Sequence, residues 1–244
     1  MKIIKRYATS STNEEIKKFV QTNNFSEPVC LYSDKQLKGK GQKGSNWSSE
    51  PYKNLTCSFY FDHLNISVEN QFNLSIFVAL AISKTLKELG LKINYIKWPN
   101  DILSGNFQKI CGILIENTLT GHLIKSSVIG VGLNINQLRF PELPQATSLA
   151  LELGQYFEID FVLKQLIKNI KNLNQQNLES VDFKLYYNHL YKYKETSYFK
   201  NSDEQIFKGV IQGVTKAGLL KIYNLSKKCI ETYNLKEIKF LNQP

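Results

Sequence analysis

KWPND at residues 97–101 and KICGILIE at residues 109–116 carry the strongest structural signal in this sequence. Their apolar residues predict one β-strand that ends at the proline, which cannot donate to a strand ladder, and a second strand at 109–116. The first strand is followed at once by the amide of Asn100 and the carboxylate of Asp101, a pair that is equally typical of an ordinary turn. Lys109 opens the second strand, where its ammonium can face a carboxylate or a phosphate beside a buried pocket. An ordinary strand-end lysine is the alternative.

Two glycine-rich segments flank this region, GKGQKGSNW at residues 39–47 and VIGVGLNIN at residues 128–136. The first contains the string GxGxxG, but a dinucleotide-binding loop of that type opens a helix, and the residues that follow here predict a loop. A Walker-type phosphate loop would need lysine where Ser45 stands. The glycines still let the backbone approach a ligand closely, and Lys40 and Lys43 add positive charge. A flexible surface loop is the alternative for this segment taken alone.

The remaining segments predict helices and strands in mixed order. A capping box formed by Thr12 and Glu15 predicts a helix that runs to about Thr22. Other helices are predicted at 72–89, about 160–174 and 180–191, and other strands at 29–32, 55–61 and 126–135, while the strand that ends in KWPND covers 94–98. The last part of the chain has short alternating strands with Gly and Asn turns, which predict a small β-barrel. The sequence therefore predicts an α+β catalytic domain at 1–194 and a β-barrel domain at 195–244.

The composition excludes several classes of protein. The 244 residues, 42% of them apolar, suffice for one large core, and the segment 72–89 contains too many polar residues to span a bilayer. The N-terminus has no apolar run after its basic residues and does not resemble a secretory signal, which predicts a cytoplasmic protein. The net charge of +10 comes almost entirely from lysine and attracts nucleic acid non-specifically, but no DNA-binding module is visible.

The cysteines and histidines predict neither disulfides nor a zinc site. The four cysteines, Cys30, Cys57, Cys111 and Cys229, form no CxxC pair, and three of them lie in apolar runs. We therefore expect buried free thiols. The three histidines show no paired spacing of the kind that zinc sites use.

Taken together and in this order, these segments resemble the catalytic core of the biotin–protein ligases, which attach biotin to the carrier domain of acetyl-CoA carboxylase. The resemblance begins at Ser11-Thr12-Asn13, includes Gln36, runs through the segments quoted above and reaches the tail at 233–238. It implies a mixed sheet with packed helices and a C-terminal SH3-like β-barrel. It also implies a reaction that uses ATP and Mg²⁺, in which biotin is activated as biotinyl-5′-AMP and then transferred to a lysine of the biotin carboxyl carrier protein.

The resemblance also implies roles for individual residues, carried over position by position. Biotin binding is implied for Ser11, Thr12, Asn13, Gln36, Lys40, Gly41, Gln42, Lys109 and Gly112. Nucleotide binding is implied for Lys43, Trp47, Asn100, Asp101 and Asn134, and catalysis for Lys109 and Lys40. No cluster of protein ligands for a metal is expected, with Mg²⁺ near Asp101 as an open alternative. The family's loop usually reads Gly-Arg-Gly-Arg, whereas Lys40 and Gln42 stand in place of both arginines here.

Three other functions fit the residues less well. Lipoate–protein ligases share the fold and the reaction type, but they usually carry an Arg-Arg-x-Ser-Gly-Gly-Gly motif that this sequence lacks. A DNA-binding repressor would need an N-terminal winged helix, for which the start of the triplet at Ser11 leaves no room, so no DNA partner is expected. A biotin-binding module without catalysis would not need Lys109, Asn100 and Asp101. No membrane partner is expected, and the oligomeric state stays open, with a homodimer through the central sheet as one alternative.

Overall fold

The computed structural model describes residues 1–23, 25, 27–179 and 181–241, apart from the side chains of Lys43 and Asn174. Its helices are α1 (Thr12–Gln21), α2 (Gln71–Glu88), α3 (Leu149–Leu153), α4 (Ile159–Ile170) and α5 (Phe183–Tyr187). Its strands are β1 (Lys2–Thr9), β2 (Val29–Gln36), β3 (Gly39–Lys40), β4 (Asn46–Trp47), β5 (Asn54–Phe61), β6 (Ile66–Ser67), β7 (Asn94–Lys97), β8 (Asp101–Ser104), β9 (Lys109–Thr120), β10 (Leu123–Asn134), β11 (Thr196–Asn201), β12 (Ile206–Val214), β13 (Leu220–Asn224), β14 (Cys229–Tyr233) and β15 (Ile238–Leu241). Helices and strands are mixed up to α5, and the described residues after it form strands and no further helix, so the predicted α+β class is confirmed.

A large mixed sheet forms the centre of the first part of the chain. Its strand order is β1-β2-β5-β10-β9-β8-β7, with β6 paired to the start of β10. β1 and β2 are parallel, and the other pairings are antiparallel. Because side chains alternate along a strand, Val29 and Leu31 of β2 enter a small core beneath α1. Cys30 and Tyr32 point the other way, into the large core that α2 and α4 cover. The mixed sheet with packed helices is confirmed.

Local structure differs from the prediction at several places. The residue before α1 is Ser11, not Thr12, and its side chain makes no capping hydrogen bond, so the predicted capping box does not form. The hydroxyl of Thr12 instead reaches across to β2. β8 begins at Asp101, the last residue of KWPND, where no strand was predicted, and β1 was not predicted at all. α5 is much shorter than the helix expected at 180–191, whose first residue lies outside the described residues.

The last strands form a five-stranded antiparallel sheet with the order β14-β13-β12-β11-β15, which confirms the small C-terminal SH3-like β-barrel. Its buried core includes Phe199, Ile211 and Leu220. The barrel contacts the large sheet through the tryptophan of KWPND. The indole N–H of Trp98 donates to the carbonyl oxygen of Gly218 at 2.8 Å. A turn of the barrel is therefore fixed against the segment that precedes Asp101.

The cysteines are free thiols, as predicted, and one of the four is not buried. Cys30, Cys57 and Cys111 are free and buried, as predicted, whereas Cys229 is exposed. Burial raises the pKa of the Cys57 thiol well above its usual range, so this group stays protonated at neutral pH. Within the described part of the chain, no helix combines the length and the apolar composition needed to cross a membrane.

Candidate functional site

A cavity of about 280 Å³ opens between the start of α1, the β3–β4 hairpin and the middle of β9 and β10. It is lined by nearly all the residues for which the resemblance implies a role: Ser11, Thr12, Asn13, Gln36, Lys40, Gly41, Gln42, Trp47, Asn100, Asp101, Lys109 and Gly112. These residues are widely separated in sequence, so only the fold brings them together. Their individual contacts define what the cavity can do chemically.

A second cavity of about 430 Å³ adjoins the first and shares Trp47, Asp101 and Lys109 with it. Asn134 lines this second cavity and not the first. Its Nδ2 donates to the carbonyl oxygen of Thr147 at 2.9 Å, whereas its buried Oδ1 has no hydrogen-bond partner among the described residues. A buried acceptor without a donor is unusual in folded proteins and is typical of a binding site.

Behind one wall of the first cavity, the polar triplet meets Gln36 and Ser58. The backbone N–H of Thr12 donates to Gln36 Oε1 at 2.9 Å, and the Thr12 hydroxyl lies 3.2 Å from the same oxygen. The Ser58 hydroxyl lies 2.8 Å from Thr12 Oγ1 and 2.6 Å from Asn13 Oδ1. Thr12, Asn13 and Ser58 are almost completely buried. Because Gln36 Oε1 is fixed as an acceptor, the Gln36 amide has one defined orientation, with its Nε2 donors directed away from Thr12.

Two glycines on neighbouring strands form the floor beneath the indole of Trp47. Gly112 of β9 and Gly132 of β10 are direct partners in the sheet register. A Cβ atom added to Gly112 would lie 2.8 Å from Trp47 Cζ3, and one added to Gly132 would lie 2.3 Å from Trp47 Cε2. The indole therefore lies directly on the backbone of the sheet, a position that any larger residue would block. The Trp47 Nε1 is buried and has no partner among the described residues.

Lys109 and Asp101 form an ion pair where the two cavities meet, with 2.7 Å between Nζ and Oδ1. The Lys109 ammonium also lies 5.5 Å from the centre of the Trp47 ring, within the range of a cation–π contact. The Nδ2 of Asn100 donates to the carbonyl oxygen of Ile113 at 2.7 Å, and the carbonyl oxygen of Asn100 accepts from the Ile113 N–H at 2.9 Å. Asn100 thus fixes its segment to β9 and holds Asp101 opposite Lys109.

The glycine-rich segment predicted as a loop is a short hairpin, β3–β4, beside the first cavity. Lys40 forms an ion pair with Glu14 of α1. The hydrogen bond between them raises the pKa of Lys40 and lowers that of Glu14, so both groups are charged at neutral pH. The Oε1 of Gln42 is buried without a partner among the described residues. The side chain of Lys43 lies outside the described part of the structure, so its nucleotide contact stays a prediction.

Several residues of the two cavities were not expected from the sequence. They include Ser45, Asn46, Thr56, Cys57, Leu235 and Lys236 in the first cavity, and Asn46, Ser48, Lys97, Leu103, Phe107, Phe140 and residues 142–146 in the second. Leu235 and Lys236 belong to the C-terminal barrel, so the barrel supplies part of the wall. Lys236 has a positive φ of 76°, a backbone conformation that is uncommon for residues other than glycine. The available signal was the resemblance of the tail at 233–238 to the family, which includes Lys236.

Among the residues that the structure describes, no group of three or more His, Cys, Asp and Glu side chains lies close enough to hold a metal ion. Asp101 is the acidic side chain that lines both cavities. Mg²⁺ is usually held by one or two carboxylates together with substrate phosphates and water. A single carboxylate opposite Lys109 therefore fits a Mg²⁺ ion that enters with a nucleotide.

The fold is that of the biotin protein ligases. The biotin protein ligase from Aquifex aeolicus in complex with biotin and ATP matches with a TM-score of 0.77 and 24% sequence identity over 98% of both chains. The chain belongs to the Biotin/lipoate A/B protein ligase family, whose model matches residues 6–134.

Curated relatives match over part of their length. The bifunctional ligase/repressor BirA of Bacillus subtilis is 32% identical over 149 residues, which cover 59% of this chain and 45% of that protein. The biotin–[acetyl-CoA-carboxylase] ligase of Mycobacterium tuberculosis is 30% identical over 154 residues, which cover 60% of this chain and 53% of that protein. The match thus spans about half the length of these relatives.

Proposed function

We propose that this protein is a biotin–protein ligase, which activates biotin with ATP as biotinyl-5′-AMP and transfers it to a lysine of the biotin carboxyl carrier domain of acetyl-CoA carboxylase. The observation that carries the proposal is the pair of adjoining cavities that share Trp47, Asp101 and Lys109. A reaction between biotin and ATP needs two neighbouring sites with a positive charge where they meet, and Lys109 provides that charge.

In the first cavity, the bicyclic ring of biotin would lie beside Ser11, Thr12 and Gln36. The biotin ring is largely apolar but carries a ureido group that both donates and accepts hydrogen bonds, and small-ligand sites recognise such groups with a few well-oriented polar side chains. The fixed orientation of Gln36 by Thr12 supports this role. A lipoyl ring has no comparable hydrogen-bonding group, so the polar wall favours biotin over lipoate.

In the first reaction step, the biotin carboxylate attacks the α-phosphate of ATP and pyrophosphate leaves. Lys109 would lie beside the reacting carboxylate and phosphate and would neutralise their charge, which brings two anions together. Asp101 keeps the ammonium in place at 2.7 Å. A Mg²⁺ ion bound with ATP would neutralise phosphate oxygens, with Asp101 as the protein residue that would hold it. Trp47 and Asn134 border the second cavity and would contact the nucleotide.

In the second step, the neutral amine of the carrier lysine attacks the carbonyl carbon of biotinyl-5′-AMP and AMP leaves. The carrier would dock on β9. Residues 114–120 of that strand pair with β10 on one side, and no strand pairs with the other side within the described ranges. An open strand edge accepts another strand through backbone hydrogen bonds. A homodimer through the same edge is the alternative use of this surface.

Two further features belong to the proposal. Residues 1–194 would be the catalytic domain and 195–244 the barrel domain, since β11 begins at Thr196. The backbone of Lys194 already bonds to Ile211 of the barrel, which supports a boundary at this place. A cytoplasmic location is supported by the free buried thiols, because reduced cysteines are typical of that compartment.

The deciding experiment is mass spectrometry of an isolated biotin carboxyl carrier domain after incubation with the protein, biotin, ATP and Mg²⁺. We expect a gain of one biotin that requires ATP and is lost when the target lysine is replaced by arginine. The same incubation with lipoate in place of biotin should give no comparable gain. A carrier mass that does not change, or that changes more readily with lipoate, contradicts the proposal.

Docking of a folded carrier is tested separately with a short peptide that contains the target lysine. A folded domain offers a strand that is already ordered, whereas a short peptide loses conformational entropy when it pairs, so the intact domain should be labelled far faster than the peptide. Equal labelling of the two substrates would rule out recognition of a folded partner and leave the ligase reaction itself in place.

A further inference from the structure

A row of hydrogen bonds leads from the polar wall of the first cavity to two charged residues outside it. Asn13 Nδ2 donates to Glu116 Oε2 at 2.7 Å, and the other oxygen of Glu116 accepts from Lys17 Nζ at 2.6 Å. On its other side, Asn13 Oδ1 lies 2.6 Å from the Ser58 hydroxyl, which lies 2.8 Å from the Thr12 hydroxyl. The reaction described above gives Glu116 and Lys17 no role.

Glu116 and Lys17 cannot act by touching a ligand in this cavity. Neither residue lines it, and their side chains keep 37% and 40% of their surface exposed to solvent. Asn13, in contrast, is buried and lines the cavity. A Cβ atom on Gly130 would lie 2.4 Å from Asn13 Oδ1, so the amide is packed tightly against β10. Asn13 is therefore the residue through which a hydrogen bond of Glu116 reaches the cavity.

The amide of an asparagine has two ends of similar shape and opposite hydrogen-bonding character. An ionised carboxylate only accepts hydrogen bonds, so Glu116 binds the NH₂ end of Asn13 and directs the oxygen toward Ser58. The Ser58 hydroxyl has one proton and two acceptors within reach, Asn13 Oδ1 and Thr12 Oγ1, and the oriented amide favours the first. The Thr12 hydroxyl donates to Gln36 Oε1. Asn13 Nδ2 also lies 3.4 Å from the carbonyl oxygen of Leu114, a much longer contact. Without the carboxylate, this longer contact would hold the amide less firmly, and the direction of these bonds would be less well defined.

We propose that Glu116, held by Lys17, is a positioning residue that sets the hydrogen-bonding direction of the biotin-ring wall through Asn13 and Ser58. The inference rests on the proposed function, because it assumes that biotin binds beside Ser11, Thr12 and Gln36. It extends that function to a residue of β9 that does not line the cavity. It predicts that Glu116 affects the binding of biotin and leaves the binding of ATP unchanged.

The test compares Glu116→Ala with the unaltered protein, using calorimetry with biotin and steady-state pyrophosphate exchange. The dissociation constant and the KM for biotin should rise by about fivefold to thirtyfold. This is less than the loss of a charge-assisted hydrogen bond to the ligand itself would give, because the bond lost is partly exposed and is made to Asn13. The KM for ATP and kcat at saturating biotin should stay within about twofold, a split that general destabilisation would not produce. Glu88→Ala is the matched control. Glu88 also accepts from an asparagine amide, at 3.0 Å, and lies 3.8 Å from a lysine, but it does not line either cavity.

A reciprocal exchange tests the direction of the bond itself. Asn13→Asp alone sets two carboxylates against each other and should weaken biotin binding strongly. Combined with Glu116→Gln, the new amide donates to the new carboxylate, which still accepts from Ser58, so biotin binding should recover. Unchanged biotin affinity in Glu116→Ala, or no recovery in the double variant, would overturn the inference. Failure of the unaltered protein to bind biotin would instead overturn the proposed function on which it rests.

Discussion

The indole of Trp47 lies directly on the backbone of Gly132, so closely that a Cβ atom at this position would stand 2.3 Å from Trp47 Cε2. Gly112, the register partner of Gly132, leaves the space for the other edge of the ring. Two neighbouring strands thus have glycine, which carries no side chain, at paired positions. The indole of Trp47 from the hairpin occupies the space above them. The hairpin, the sheet floor and Lys109 are connected through this one ring.

Replacement of Gly132 by alanine should displace Trp47, because the added methyl group and the ring cannot occupy the same space. We expect the rate of pyrophosphate exchange to fall by about tenfold or more, together with a changed tryptophan emission spectrum. Gly105→Ala is the control, since its Cβ would meet nothing closer than 3.5 Å. A Gly132→Ala protein with wild-type emission and activity would show that the position of the Trp47 ring does not depend on a glycine at residue 132.

Replacement of Lys109 by alanine should nearly abolish formation of the adenylate. A charge-assisted hydrogen bond to a carboxylate or phosphate is worth about 1.5–3 kcal/mol, which corresponds to a loss of about tenfold or more in rate. The effect on Tm should be at most about 3 °C, because the Lys109–Asp101 pair is partly exposed. Pyrophosphate release measures the activity, and Lys84→Ala, which removes an exposed ion-pair lysine, is the control. Unchanged release would remove Lys109 from the reaction.

Lys40 and Gln42, which stand where the family usually has arginine, should differ in how strongly they retain biotinyl-5′-AMP in the site. Lys40 is cationic and contacts α1 through Glu14, whereas Gln42 is neutral. A charged contact is worth about 1.5–3 kcal/mol and a neutral one about 1. Lys40→Ala should therefore release biotinyl-5′-AMP roughly threefold to thirtyfold faster than Gln42→Ala. Rapid mixing with a carrier-free protein measures both rates, and equal rates would show that Lys40 has not taken over the charge of the usual arginine.

The contact between the barrel and KWPND can be removed by one conservative change. Trp98→Phe keeps an aromatic ring but loses the donor to Gly218, which leaves a carbonyl without its partner. Loss of such a bond costs about 1–3 kcal/mol, so Tm should fall by about 2–10 °C. The KM for ATP should rise, because Asn100 and Asp101 directly follow this segment. An unchanged Tm together with an unchanged KM would mean that the barrel does not support the catalytic segment.

Much of the site could be predicted because its residues form short contiguous motifs. The triplet at 11–13, the hairpin at 39–47 and KWPND each place several cavity residues next to one another in sequence. The triplet also shows how a correct motif can suggest the wrong local structure. Thr12 has the pattern of a helix cap, but its hydroxyl contacts Gln36 and Ser58 instead of the end of the helix. The threonine therefore serves the polar wall of the cavity and does not cap α1.

The remaining site residues could not be predicted because only the sheet register brings them near the cavity. Ser58 and Glu116 lie in strands that contain other polar residues as well, and such residues are usually no more than satisfied side chains. Their role depends on the pairing of β5 and β9 with β10, which places both beside α1. The segment at 142–146 reaches the second cavity through a long connection whose path has no sequence signature.

The last prediction concerns Lys236. This residue has an unfavourable backbone conformation and also lies in the wall of the first cavity. Its φ of 76° suits glycine better than lysine, so Lys236→Gly removes the charge and relieves the backbone strain at once. Tm should stay the same or rise. If the ammonium attracts the phosphates of ATP, the KM for ATP should rise by about twofold to fivefold at low salt. The increase should disappear at high ionic strength, where exposed charges are screened.

Lys228→Gly is the matched control for this prediction. Lys228 also has a positive φ, of 54°, and is a lysine of the same barrel, but it lines neither cavity. Its replacement should give the same gain in Tm, because the strain relieved is similar, and no change in the KM for ATP at any salt concentration. Steady-state kinetics at two ionic strengths and a thermal melt of each variant are sufficient. An equal rise in KM for both variants would mean that the barrel's overall charge attracts ATP, and that Lys236 has no special position in the site.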